Sequence, residues 1–168
     1  MALLEVLKYP NPFLKKKVDN VNIEQIESLS ETIKNMFETM YHTKGIGLAA
    51  TQVGINARIF VMDLSEDRSK AMCFINPEII ESHGSTLFEE GCLSFPGVFV
   101  KVNRAEKIKV KAYDETGKSF ELEADGLKGI CIQHETDHLN GITFFDHLSP
   151  LKRKMAEKKF SKAQKLSA

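Results

Sequence analysis

Apolar positions along the chain change period twice. Ile23, Ile26, Leu29, Ile33, Met36, Phe37 and Met40 recur at helical spacing. Asn22, with Gln25 three residues on, suits an N-cap, and Gly45 suits the stop. The pattern predicts one amphipathic helix over residues 23–43. Before it, "YPNPFLKKKV" carries two prolines and reads as an extended arm. After it the period shortens. "RIFVMD", "AMCFINPEII", "STLFEEG", "EKIKVKAYDE" and "KSFELEAD" are short β-branched or alternating runs. Gly117 in "ETGK" marks a hairpin turn between the last two.

Helical period returns after Asp125, a suitable N-cap, in "GLKGICIQHETDHL", and Gly141 closes it. A terminal helix over residues 149–168 starts with Ser149 as cap and Pro150 in the first turn. Leu151, Met155 and Leu166 cluster on its wheel, but Lys152, Lys159 and Lys162 interrupt that arc. This helix is therefore not expected to be deeply buried along its length. Helix, several strands, helix, helix, joined by short turns, predicts an α+β fold with mostly antiparallel sheet. No repeat, linker or low-complexity stretch divides the chain, so residues 1–168 are expected to form one domain.

Composition narrows the function classes. The 168 residues carry 23 Lys plus Arg against 23 Asp plus Glu, so no global charge draws the molecule to DNA or to a membrane. No apolar run reaches the ~20 residues of a membrane span, and "MALLEVLKYPNP" lacks the marks of a signal peptide. Three cysteines, an odd number, suit reduced thiols in a cytoplasm. The charge is unevenly placed: residues 149–168 hold seven lysines and arginines against Glu157, a net +6 that leaves −6 on the rest.

The candidate chemistry sits in "QHETDHLNG". His134 and His138 are four apart, hence on one face of a helix and ~6 Å from each other. Two imidazoles so placed can share one ion at ~2.0–2.1 Å. Glu135 lies about 100° round the helix, off that face, and suits a general base toward a water. A surface helix with two solvated histidines is the plain alternative. A zincin-type metallopeptidase would add a third ligand downstream, but Phe144 stands where that histidine belongs. His147 comes three residues too late, and Glu157 sits in a lysine-rich segment beside Arg153 and Lys154. Cys131, one turn before His134, is too far along the axis from His138 to converge with both. Cys73 falls in a strand pattern as core. Cys92, in "EEGCLSFPG", stands in a constrained loop or strand end. A thiolate there with the two histidines gives three ligands and an open fourth position, the catalytic pattern. Such a donor set suits Zn2+, Co2+, Ni2+ or Fe2+.

Three segments together, "GIGLAATQVG", "EGCLS" and "QHETDH", resemble in order and separation the signature motifs of peptide deformylases, most closely the Gram-negative-type bacterial branch. Alone, "GIGLAA" could be read as a dinucleotide loop, but it follows a helix rather than a strand. The resemblance implies hydrolysis of the formyl group from N-formylmethionyl peptides. It implies antiparallel sheets packed around the His-Glu-x-x-His helix, and Fe2+ as the ion in the cell. It implies that Gln52 donates its side-chain amide, and Leu93 its backbone N–H, to the oxyanion. It places Ile46 and Gly47 along the substrate, with Glu90 and Gly91 also in contact. It sets Leu127, Ile130 and Cys131 beside Ile46 and Phe88 around the methionine side chain, where plain core packing is the alternative. It also implies ribosome contact through the basic C-terminal helix. A non-enzymatic RNA-binding module, supported only by that basic helix, is the reading from another class.

Overall fold

The computed structural model describes residues 2–167, with the backbone alone for Ser167. The last residue assigned to the terminal helix, Ala168, therefore lies outside the described residues. Five strands form one antiparallel sheet in the order β1-β2-β3-β6-β7. They are β1 (Gly47–Ala49), β2 (Ile59–Met62), β3 (Met72–His83), β6 (Lys107–Tyr113) and β7 (Ser119–Asp125). β4 (Thr86–Glu90) and β5 (Val100–Arg104) make a separate two-stranded ribbon. The helices are α1 (Ser30–His42), α2 (Gly126–Leu139) and α3 (Pro150–Ser167).

Strand alternation explains the two-sided core. In β2, Ile59 and Val61 face the cluster that holds Ile33, Met36 and Met40 of α1. Phe60 and Met62 face the opposite cluster, with Cys131, Ile132 and Leu139 of α2. β3 does the same, sending Cys73 and Ile75 to α1 and Phe74 to α2. Both faces are covered, so all four β2 residues are buried and the run reads as continuously apolar. β6 and β7 pair from Tyr113↔Ser119 to Lys107↔Asp125 across the expected turn, where Gly117 has φ 87°.

The expected helix over 23–43 is two pieces. Ile23–Leu29 is a 3-10 segment, with Gln25 out of helical geometry. Asn22 does cap it, accepting from the Glu24 N–H. The Ser28 hydroxyl donates to the Gln25 carbonyl at 2.6 Å, offering the backbone a local alternative to α-helical pairing. The stop also differs in detail. Lys44, with φ 60°, is the left-handed residue, and its N–H bonds the Tyr41 carbonyl while the Gly45 N–H bonds Met40. Gly45 instead leaves room for Leu93, whose side chain would have to shift for a Cβ that lay 2.7 Å from its Cδ1. The N-terminal arm is not wholly extended, since Pro12–Lys15 forms a 3-10 turn capped by Asn11.

α3 begins as expected, with the Lys152 N–H on the Ser149 hydroxyl and the Arg153 N–H on its carbonyl. Its packed face is not the Leu151, Met155, Leu166 arc, whose members are 70%, 54% and 80% exposed. Ala156 and Phe160, four apart, bury instead against Phe95, Phe144 and Phe145. Aromatic contacts to Tyr9 and Phe95 decide which stripe docks.

Asp125 precedes α2 in extended geometry, but its side chain makes no capping bond. At the other end Gly141 takes φ 73° and its N–H reaches the His138 carbonyl. A Cβ on Gly141 would overlap the Lys15 carbonyl, whereas one on Gly126, also at positive φ, meets nothing within 4 Å. Gly126→Ala should therefore cost only the left-handed penalty, about 1–2 kcal/mol. Gly141→Ala should exceed it in urea unfolding, and equal losses from the two would contradict this packing.

Candidate metal centre

Three chain segments meet at one point. α2 contributes His134 and His138, and the turn that follows β4 contributes Cys92. The segment from β1 into the 3-10 turn Ala50–Val53 contributes Gln52. One ligand atom each from Cys92, His134 and His138 lies within 4.8 Å of the other two. His138 Nε2 is 3.2 Å from His134 Nε2 and 3.3 Å from Cys92 Sγ. A tetrahedral ion with ordinary zinc–nitrogen and zinc–sulfur bonds would separate such donors by about 3.3–3.6 Å. The donor set therefore fits a divalent ion in both chemistry and spacing.

Glu90 fixes the first imidazole. One of its oxygens, Oε1, is 2.8 Å from His134 Nδ1, which places the ring proton there and turns the Nε2 lone pair toward Cys92 and His138. Arg104 grips the same carboxylate through Nε at 2.7 Å and NH2 at 2.9 Å, and its NH1 reaches Asp137. Burial alone would raise the Glu90 pKa, but the hydrogen bonds from Arg104 and His134 outweigh it and hold it at about 2. The Glu90 carboxylate is thus engaged on the far side of His134. Both oxygens are occupied behind His134, at 4% side-chain exposure. β5, which presents Arg104, is a strand that the apolar pattern did not reveal. Its Val100 and Val102 alternate inward correctly, but the third inward residue is a charge.

Glu135 lies off the ligand face, as its position in the motif requires. It is buried, and its Oε1 has no hydrogen-bond partner among the described residues. Burial pushes its pKa up to about 7. A cation held beside it would pull that value back down. Gln52 Oε1 accepts the Ala49 N–H at 2.9 Å, which orients the amide. Its Nε2 then faces Ser94 Oγ at 3.2 Å and Cys92 Sγ at 3.5 Å.

A cavity of about 340 Å³ opens onto this cluster, lined by Ile46, Gly47, Gln52, Gly91, Leu93 and Glu135 among others. Gly47 forms its tight floor, where a Cβ would lie 2.7 Å from Glu135 Oε2 and 2.9 Å from Cys131 Sγ. Phe88, Leu127 and Ile130 are brought together, but in a second cavity of about 630 Å³ that Ile46 does not line. Cys131, on α2 itself, is buried in the core. The downstream candidates stay out of the cluster: Glu157 pairs with Arg153 at 3.2 Å and His147 with Asp137 at 2.7 Å. Phe144 packs edge-on against the His134 ring.

Known proteins carry the same arrangement of segments. The family model described as polypeptide deformylase matches residues 3–154. The chain belongs to the polypeptide deformylase family. A peptide deformylase of Chromobacterium violaceum is 54% identical over 165 residues, covering 98% of both chains. The solved peptide deformylase of Legionella pneumophila superposes with a TM-score of 0.93 at 47% identity, over 99% of this chain and 98% of that one. That of Synechococcus elongatus, solved with actinonin, gives 0.88 at 42%, over 93% of this chain and 86% of that one. No feature of the fold or the site favours a zincin peptidase.

The ion cluster behind His134 makes a stability prediction. Removing one partner of a buried pair costs about 3–5 kcal/mol, so Arg104→Leu should lose about that much in urea unfolding at neutral pH. Glu90 is depressed in the folded state. Its contribution is therefore complete above its unfolded value of about 4.3 and lost as pH falls toward about 2. Wild-type protein should lose stability across that window, and Arg104→Leu should lose less there. Equal stability of the two at neutral pH contradicts the assignment.

Proposed function

We propose that Cys92, His134 and His138 hold one divalent ion, and that the protein uses it to remove the formyl group from the N-terminal formylmethionine of newly made polypeptides. The observation that carries this is the convergence of the three donors beside a buried carboxylate oxygen with no partner, in a chain of the deformylase family. Thiolate with two imidazoles suits zinc, cobalt, nickel or ferrous iron, and the family resemblance assigns ferrous iron in the cell. Bound there, the ion supplies Lewis acidity that brings a water's pKa toward neutrality.

The chain's own residues do the rest. Glu135 takes the proton from the attacking water and later delivers it to the leaving amine. The Gln52 amide, held by Ala49, and the Leu93 N–H donate to the formyl oxygen as it gains charge. Ile46, Gly47 and Gly91 border the path of the peptide, and Phe88, Leu127 and Ile130 offer apolar surface to the methionine side chain, with Cys131 behind Gly47. With formyl-Met-Ala-Ser as substrate, Glu135→Ala should retain the ion and lose ~10²–10⁴-fold or more in turnover. Gln52→Leu should lower kcat ~10²–10³-fold more than it alters KM. Near wild-type turnover in the first, or a pure KM effect in the second, contradicts these roles.

The work is assigned to the cytoplasm, where polypeptides are made; no described helix is long and apolar enough to cross a membrane. We assign ribosome docking to α3, on which Lys152, Lys154, Lys158, Lys159, Lys162 and Lys165 are all exposed. Because Phe160 is core, charge reversal is a cleaner test than deletion. Lys158→Glu with Lys159→Glu and Lys162→Glu should weaken ribosome binding and flatten its salt dependence, with peptide turnover unchanged. Unaltered ribosome affinity rejects this docking face.

A further inference from the structure

The two imidazoles are held in different ways. His134 is oriented through its ring, by Nδ1 on Glu90. His138 has no such partner: its Nδ1 is buried with no hydrogen bond among the described residues. A metal-ligating histidine ordinarily gives its second ring nitrogen to an acceptor that fixes it. The position of His138 must then rest on its backbone, one residue before α2 ends.

That last turn is anchored from outside the helix. Terminal carbonyls of a helix lack intrahelical donors. Leu139 takes the Val18 N–H and the Arg58 guanidinium on its carbonyl. The His138 carbonyl accepts the Gly141 N–H at 3.1 Å and, from 87 residues away, the Thr51 hydroxyl at 2.9 Å. Thr51 and His138 are both 0% exposed. Thr51 belongs to the 3-10 turn Ala50–Val53, and the next residue in that turn is Gln52, whose amide faces Cys92 and Ser94. One short turn thus presents a helix anchor and an oxyanion donor with consecutive residues.

We propose that Thr51 is a positioning residue, whose hydroxyl on the His138 carbonyl holds that imidazole at its place in the metal centre and in register with the Gln52 amide. The inference rests on the metal-site reading above. Thr51→Val keeps the shape and deletes the donor. The Gly141 N–H remains on the His138 carbonyl, so the helix end stays capped. Thr51→Ser restores the donor. The test is chelator-driven loss of zinc from zinc-loaded protein, with the circular dichroism spectrum as a check on the fold. Thr51→Val should release zinc ~10–100-fold more readily than wild type, the usual cost of losing a residue that supports a ligand. Thr51→Ser should release it as wild type does. Should Thr51→Val fail to fold, Thr51→Ala replaces it, with no donor and the same expected direction. Zinc held by Thr51→Val or its replacement as firmly as by wild type overturns the role of Thr51 alone, as does a Thr51→Ser protein that leaks equally. A wild-type protein that holds no zinc after the same loading overturns the metal-site reading with it.

Discussion

One buried carboxylate ties the site to the fold. Glu90 ends β4, two residues before Cys92, and its oxygens are shared between Arg104 of β5 and His134 of α2. The sulfur comes from the ribbon side and the imidazoles from the helix, so nothing along the chain sets their separation. The Glu90 clamp sets it. A buried charge is costly unless paired and hydrogen-bonded, and here that cost is met only when ribbon and helix are docked in one relative position. The same contact chooses the His134 tautomer. Docking of the two segments and readiness to hold an ion are therefore one event.

α2 carries this arrangement because it is enclosed. Residues Gly129 to Thr136 are all buried, with the sheet core on one side and the cavity on another. That stretch has no solvent face on which to slide, and the last carbonyls of the helix are taken by Val18, Arg58 and Thr51. Enclosure also acts on Glu135. Burial raises its pKa to about 7, and a cation held in the site would draw it back down.

The sequence was most legible where side-chain chemistry and spacing coincide. The His-Glu-x-x-His spacing puts two ligands on one face whatever surrounds the helix, and glycine-flanked Cys92 stood out because it broke strand patterning. The runs that became β2, β3, β6 and β7 were visible because their apolar periods match one or two buried faces. β5 was not, because its inward Arg104 looks like an exposed charge until Glu90 and Asp137 are seen around it. The clamp made by Glu90 was hidden for the same reason: a carboxylate in a motif reads as a group free to meet a substrate, and only the fold shows its oxygens occupied by Arg104 and His134. The interrupted arc on α3 rightly read as too broken to bury, but a wheel does not say which residues meet an aromatic cluster. Phe160 does, and the larger arc stays in water.

The central claim is that one thiolate and two imidazoles share an ion. X-ray absorption at the metal edge of zinc-loaded protein reads that donor set directly. One sulfur at ~2.3 Å and two imidazole nitrogens at ~2.0–2.1 Å, with one further light atom completing four ligands, is the expected result. A shell with no sulfur, or with more than one, would contradict the site built from Cys92, His134 and His138.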